Sequence, residues 1–293
     1  MRETLSRLVT ETAKADPSVR LISGDHGAAL WDLIRKEAPD QFLNVGVIEQ
    51  AEIGIAAGLA KVGFKPIVYG MASFVPMRCL EQIKLDLCHS NLPIIIIGDG
   101  GGLVYSTLGA SHHCAEDIAV LRCMPNMTIL SPCDKEELKI CWEQALMNKG
   151  PTYIRIGRCD LPEAKLVDWY GFRSDYSGTR NTILAATGSM VLKAKQIGEK
   201  HNIGVLSIYQ IKPIPLFVLA FLDVEQIIVL EEHSQYGGLF SMLCEEFSTH
   251  DIKIHSIALE DKFADKSGSW QYALSEHEMD DENLEKRIVK ILA

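Results

Sequence analysis

This chain of 293 residues lacks several sequence features that mark metal-binding, redox and nucleic-acid-binding proteins. No two of its eight cysteines form a C-x-x-C pair, which excludes a zinc ribbon and a thioredoxin motif. Positive charge is in deficit, because 29 Lys and Arg against 39 Asp and Glu give a formal net charge of −10. Binding to a nucleic-acid backbone depends on clustered Lys and Arg, so we do not expect a nucleic-acid partner.

Long apolar segments are also missing. The longest apolar run, 216–222, is far shorter than the ~20 residues that span a bilayer. The first residues contain an acid at Glu3 and no apolar core, so they do not resemble a signal peptide. We therefore expect a soluble, cytoplasmic protein without a membrane partner, in which the dispersed cysteines are reduced.

What the chain does contain is an alternation of strand and helix patterns. In the first half, apolar β-rich runs predict strands at 19–23, 42–45, 66–69, 93–97, 127–130 and 152–156. The 3.6-residue apolar period predicts helices at 28–37, 49–61, 74–90 and 134–148. A second set follows, with strands at 182–186, 203–209, 226–231 and 253–259 and helices at 190–200, 237–248 and 282–292.

The periodicity fails between Arg158 and Arg180, where Pro, Asp, Gly, Tyr and Ser dominate as in a linker. Continuous apolar strands such as 94–97 indicate burial on both faces, which is typical of parallel sheets covered by helices. The sequence thus predicts an α/β protein of two domains, each a mostly parallel sheet flanked by helices. We place these domains at 1–160 and 178–293, with a linker at 161–177.

Four segments could carry chemistry, and each one alone has a structural explanation. They contain Asp25 after the first strand, Glu49 at a helix start, His112 in a Gly-rich loop and Arg158 after the last strand of the first domain. An acid in the first turn of a helix is favoured by the helix dipole, for example. His112 and its neighbour His113 lie near two acids, but adjacent side chains on an extended chain point apart. We therefore expect no metal site there.

The combination of segments is more specific than its parts. "NVGVIEQAEIGIAAGLA", "LGASHHCAEDIAVLRCMPNMTILSPCD" and "PTYIRIGRCDLP" occur in this order, and "LEEHSQYGGLFSMLCEE" follows in the second domain. Together they resemble the transketolase family of thiamine-diphosphate enzymes over essentially the whole chain. The resemblance implies a pyrimidine-binding domain followed by a transketolase C-terminal domain.

The family's third domain, which binds the diphosphate and Mg²⁺ through a Gly-Asp-Gly motif and an Asn pair, has no counterpart here. Gly98-Asp99-Gly100 matches the first half of that motif, but it aligns with the loop of the pyrimidine-binding domain that contains His112. The resemblance therefore implies the C-terminal half of a split transketolase that shares thiamine diphosphate with an N-terminal subunit. That partner would hold Mg²⁺, and we expect a heterotetramer with two copies of each chain.

The resemblance also implies roles for three residues at the cofactor. Glu49 matches the acid that hydrogen-bonds N1′ of the aminopyrimidine and thereby promotes loss of the thiazolium C2 proton. Phe74 is the candidate for the aromatic ring that stacks on the aminopyrimidine, with ordinary core packing as its alternative. Asp25 matches a family acid near the cofactor, and helix capping is its alternative.

Three further residues are implied to bind the substrate. His112 matches the histidine that contacts substrate hydroxyls and assists proton transfer, whereas Arg158 and Arg2 match two phosphate-binding arginines. A guanidinium suits phosphate oxygens because it donates two parallel hydrogen bonds. Three other positions depart from the transketolase pattern. Gly98 stands where transketolases carry a His that contacts phosphate, Ala29 where they carry a Ser, and Leu108 where they carry an Asp that binds a substrate hydroxyl. We therefore expect an unusual ketose donor or a specialised acceptor.

The favoured interpretation is a subunit that transfers a two-carbon ketol unit between sugars or sugar phosphates. One alternative is a β-type subunit of another thiamine-diphosphate enzyme, as in 2-oxo acid dehydrogenases or deoxyxylulose-phosphate synthesis. The other is a non-catalytic chain that only stabilises its partner.

Overall fold

Two β-sheets organise the chain. The computed structural model describes residues 1–158, 171–214 and 224–293. The strands are β1 Val19–Ser23, β2 Phe42–Asn44, β3 Lys65–Met71, β4 Ile95–Asp99, β5 Thr128–Leu130, β6 Thr152–Ile156, β7 Phe172–Tyr176, β8 Thr182–Ala186, β9 Gly204–Ile208, β10 Gln210–Lys212, β11 Gln226–Ser234 and β12 Lys253–Leu259.

Helices cover both sheets. The α-helices are α1 Arg2–Ala15, α2 Asp32–Glu37, α3 Glu49–Lys61, α4 Val75–Arg78, α5 Leu80–Gln82, α6 Asp117–Arg122, α7 Lys135–Met147, α8 Val191–His201, α9 Leu239–Glu246, α10 Trp270–Glu276 and α11 Asp281–Leu292. Short 3-10 segments lie at Ala28–Trp31, Pro39–Gln41, Ser106–Leu108, Ala110–His112 and Gly188–Met190, and a π-helical segment lies at Ile83–His89.

The first sheet has seven strands in the order β10-β5-β6-β4-β3-β1-β2. All neighbouring strands in it are parallel except β10, which pairs antiparallel with β5. The second sheet has the order β12-β11-β8-β9-β7, with β7 as its antiparallel edge. Both are mostly parallel sheets flanked by helices, which confirms the predicted fold class.

Two strands alter the predicted division of the chain. β7 lies within the segment 161–177 that was predicted to be a linker, and it belongs to the second sheet. β10 lies in the second half of the chain but completes the first sheet. Neither strand shows a long apolar run, because edge strands need few buried side chains. Residues 159–170 of the predicted linker lie outside the described residues.

Local sequence signals account for several helix ends. Asp134 caps α7 by accepting hydrogen bonds from the amides of Glu136 and Glu137. Glu137, in the first turn of α7, in turn accepts a hydrogen bond at 2.8 Å from the amide of Cys133, the residue before the cap. The predicted helix 74–90 is divided between α4, α5 and the π-helical segment.

Among the described residues, no helix is both long enough and apolar enough to cross a membrane. The apolar run 216–222 lies outside those residues. The described cysteines are free thiols, most of them buried.

Candidate active site

The carboxyl ends of the parallel strands of the first sheet meet at one edge, where α/β proteins bind their ligands. β1 and β3 end there, and α3 begins beside them. Between these elements lies a cleft of about 250 Å³, whose lining includes Asp25, Glu49 and Phe74. The structure therefore brings the three predicted cofactor contacts to one cavity, which we call the pyrimidine cleft.

Glu49 is the first residue of α3, and its side chain is 14% exposed. Its Oε1 accepts a hydrogen bond from Nη1 of Arg78 at 3.0 Å. The Arg78 guanidinium carbon also lies 4.4 Å from the centre of the Phe74 ring. Arg78 thus contacts two of the three side chains predicted to hold the aminopyrimidine.

A second acid, Glu52, lines the same cleft and was not singled out from the sequence. It lies one turn after Glu49 on α3, is 1% exposed, and its Oε1 has no hydrogen-bond partner among the described residues. Burial, and to a smaller extent the charge of Glu49, raise the pKa of Glu52 to about 8. In the sequence, Glu52 could have been found as an acid that lies on the apolar face of the predicted helix, beside Ile53 and Ala56.

His112 ends the 3-10 turn Ala110–His112 and is half-buried. Its ring centre lies 5.2 Å from that of Phe74, edge to face. Its Nδ1 lies 3.0 Å from the Ser111 hydroxyl. The predicted substrate histidine therefore lies beside the predicted stacking ring.

The two predicted phosphate ligands also come together. Arg2, the first residue of α1, and Arg158, which follows β6, both line a cavity of about 430 Å³ together with Tyr105. The Arg158 guanidinium lies 5.2 Å from the centre of the Trp270 ring. The Arg2 Nη2 donates to the Tyr105 hydroxyl at 2.7 Å. Two cationic groups from distant parts of the chain thus face one cavity, which we call the arginine cavity.

Asp99, at the end of β4, links the two cavities. Its carboxylate accepts hydrogen bonds from the hydroxyls of Tyr69 at 2.6 Å and Tyr105 at 3.0 Å, and pairs with Arg2 at 3.1 Å. Burial alone would raise the pKa of Asp99, but the hydrogen bond with His26 and the charge of Arg2 lower it. This network was missed because its members come from α1, β3, β4 and the loops that follow β1 and β4, and they show no pattern within any one segment.

The three predicted departures from the family pattern lie in different settings. Gly98 lies within β4, where a Cβ atom would be 2.2 Å from the hydroxyl of the buried Tyr153. This position therefore faces the core, so its glycine is a packing requirement and not a lost phosphate contact. Ala29 lines a wider cleft of about 950 Å³ beside Arg2, and Leu108 is exposed.

Across residues 1–158, 171–214 and 224–293, no group of three or more His, Cys, Asp or Glu side chains is arranged to hold a metal ion.

Comparison with known proteins places this geometry in a family. Residues 1–163 match the family model described as "Transketolase, pyrimidine binding domain". The chain belongs to the transketolase family. It is 35% identical over 274 residues to an apulose-4-phosphate transketolase subunit of Phocaeicola vulgatus, a match that covers 89% of this chain and 88% of that protein.

Other members of the family support the same assignment. The 1-deoxy-D-xylulose-5-phosphate synthase of Thermus thermophilus is 30% identical over 266 residues, which cover 87% of this chain but 42% of the synthase. A split-gene transketolase, solved as an inactive beta4 tetramer, has a TM-score of 0.88 at 27% identity and covers 99% of this chain and 97% of its own. This chain thus contains a transketolase pyrimidine-binding domain followed by a second α/β domain, and it is similar over nearly its whole length to subunits of split transketolases. The pyrimidine-binding domain implies thiamine diphosphate as its cofactor.

Proposed function

We propose that the pyrimidine cleft holds the aminopyrimidine of thiamine diphosphate through Glu49, Phe74 and Asp25. The cleft combines an acid at a helix start with an aromatic ring, which suits a flat heterocycle with a polar edge. Glu52 adds a buried acid to the lining of the same cleft. These residues therefore fit the cofactor that the family implies.

When bound, thiamine diphosphate supplies the nucleophilic carbon that attacks a ketose carbonyl. The role of Glu49 is to bind N1′ of the aminopyrimidine and to exchange a proton with it. Phe74 orients the ring by stacking, and Asp25 contributes a polar contact at the cleft. His112, beside Phe74, binds substrate hydroxyls and moves protons at the sugar.

The proposed reaction is the transfer of a two-carbon ketol unit from a ketose to an aldose, with a phosphate group on the sugar substrates. The observation that supports a phosphorylated substrate is the arginine cavity, where Arg2 and Arg158 face one space of about 430 Å³. Similarity to the apulose-4-phosphate transketolase subunits makes apulose 4-phosphate the first substrate to test. Leu108 stands where transketolases carry an Asp that binds a substrate hydroxyl. This difference agrees with a substrate other than the usual pentose phosphates.

We further propose that the active enzyme is a heterotetramer with two copies of this chain and two of an N-terminal subunit. The partner would hold Mg²⁺ and the diphosphate, as the resemblance to the family implies. Two-fold symmetry is the commonest closed arrangement for such an assembly. Small residues along α3, including Gly54 and Gly58, allow close packing at the subunit interface.

The test is co-purification with a partner subunit, followed by assay with a panel of ketose and aldose phosphates that includes apulose 4-phosphate. We expect no turnover by this chain alone and two-carbon transfer by the complex. Robust turnover by this chain alone would contradict the split assembly, and light scattering that showed a fully active one-to-one complex would contradict the heterotetramer.

Pyruvate belongs in the same panel because the deoxyxylulose-phosphate synthase is also similar to this chain. Condensation of pyruvate with an aldose phosphate, without ketol transfer, would favour the synthase interpretation. A complex that remains fully active after Glu49→Gln would favour a non-catalytic role for this chain.

A further inference from the structure

Glu52 has no evident structural reason to be an acid. Its side chain is 1% exposed, its Oε1 has no partner among the described residues, and no salt bridge to it is found within them. A buried, unpaired carboxylate is costly, whereas an apolar side chain would fill the same space. Buried unsatisfied oxygens of this kind point to a functional contact.

The position of Glu52 points to Glu49 as the residue that it affects. The two acids are separated by three positions on α3, so they lie on the same face of the helix, and both line the pyrimidine cleft. Two carboxylates that share a partly buried site do not readily ionise together. The charge of Glu49 therefore opposes ionisation of Glu52.

The two acids differ in their surroundings. Glu49 lies at the N-terminus of α3 and accepts a hydrogen bond from Arg78, so its carboxyl group faces a cation and the positive end of the helix dipole. Glu52 lies deeper, without a cation as partner, and burial raises its pKa to about 8. The other titratable side chains around the cleft belong to Asp25, His26, Tyr69 and Cys79.

We propose that Glu52 is a positioning residue of the pyrimidine cleft, a neutral carboxylic acid that sets the proton affinity of Glu49. While Glu52 keeps its proton, Glu49 is the single buried charge of the pair and exchanges a proton with its ligand. Loss of the Glu52 proton adds a second charge beside Glu49 and makes Glu49 hold its own proton more tightly. This inference rests on the role proposed above for Glu49.

The test compares Glu52→Gln, which keeps the shape of the neutral acid but cannot ionise, with Glu143→Gln as a matched control. Glu143 is an exposed acid on α7, away from the cleft. Infrared spectra of the full chain, recorded against pH, report the carbonyl stretch of a protonated carboxylic acid. We expect one component of this band, present at pH 7 in the wild type and in Glu143→Gln, to be lost with a midpoint near pH 8 and to be missing from Glu52→Gln. The buried acid Glu137, whose pKa is raised to about 7 by burial, contributes a separate component to all three proteins, so the wild-type-minus-variant difference is the measured signal.

A second readout follows proton exchange at thiazolium C2 in the assembled complex. We expect an alkaline change in the exchange rate near pH 8 in the wild type and in Glu143→Gln, and a flat profile there in Glu52→Gln. If Glu52→Gln does not fold, Glu52→Met replaces it as the variant without an ionisable group.

The proposal is overturned if the wild type shows no protonated-acid band at pH 7, or if the band is identical in the folded Glu52 variant. The infrared titration needs neither a partner nor turnover, so it stands even if the proposed transketolase reaction fails. Conversely, ketol transfer by the complex together with a missing band would reject only the role of Glu52.

Discussion

Replacement of Glu49 by Gln tests the residue on which the enzymatic proposal depends most. Gln keeps the shape of the side chain but cannot exchange a proton with N1′ in the same way. Proton-transfer assistance of this type is worth ~10²–10⁴-fold in rate. We therefore expect the assembled complex to lose ~10²-fold or more in turnover, which corresponds to at least ~2.7 kcal/mol of barrier.

The structure predicts a much smaller effect of this substitution on stability. Glu49 has two stabilising contacts, the half-exposed ion pair with Arg78 and its place at the N-terminus of α3. An exposed ion pair contributes ~0.2–1 kcal/mol and a helix-dipole contact ~0.3–1 kcal/mol. The free energy of unfolding should therefore fall by less than about 2 kcal/mol, and assembly should be preserved.

The decisive assay is hydrogen–deuterium exchange at thiazolium C2 in the complex, because it separates this proton transfer from sugar binding. Glu143→Gln, on the exposed face of α7, controls for the loss of one negative charge. Exchange at the wild-type rate in Glu49→Gln would show that Glu49 is only a helix-start acid.

Three further predictions concern substrate binding, packing and pH. Arg158→Leu should raise KM for phosphorylated sugars ~10-fold or more, because it removes one guanidinium from the arginine cavity. Turnover of unphosphorylated analogues should be unchanged. Equal losses for both kinds of substrate would argue against a phosphate contact. Gly98→Ala should cost ~1–3 kcal/mol in urea unfolding, since its Cβ would be 2.2 Å from a buried tyrosine hydroxyl. At Gly54 in α3 an added Cβ would meet no atom within 4 Å, so Gly54→Ala should be neutral or stabilising in the isolated chain. Equal destabilisation of both glycine variants would refute the packing explanation. Hydrogen bonds from Lys65 and Ser18 lower the pKa of Asp16 to about 2. The contribution of Asp16 to stability should therefore be present above pH 4 and lost as the pH falls through 2. A profile of melting temperature against pH for Asp16→Asn should lack this loss.

The elements that the sequence predicts best are those with strong local signals. The predicted strands 19–23 and 152–156 and the predicted helix 49–61 have the same bounds in the structure, because the apolar pattern of each segment marks its extent. The cap at Asp134 is a further case of a purely local interaction. Elements without an apolar pattern of their own, such as β7 and β10, are formed through pairing with distant strands and were not predicted.

The same distinction applies to the site. Glu49, His112 and Arg158 lie in recognisable segments, so the resemblance could nominate them. Asp99 and Glu52 became visible only when the fold brought their neighbours together, since burial and the absence of a partner are properties of three-dimensional packing. The roles of all these residues remain predictions until the variants are measured.

The antiparallel pairing of the edge strand β10 with β5 has a consequence for synthesis of the protein. The pairing residues Leu130 and Gln210 are 80 positions apart, so at ~5–20 residues per second the ribosome needs about 4–16 seconds to deliver the second after the first. During this interval the edge of β5 exposes unpaired backbone groups, which are a template for association between nascent chains. A fragment that ends at residue 158 would keep that edge open permanently. We expect such a fragment to aggregate, whereas a chain that extends beyond residue 212 can close its first sheet.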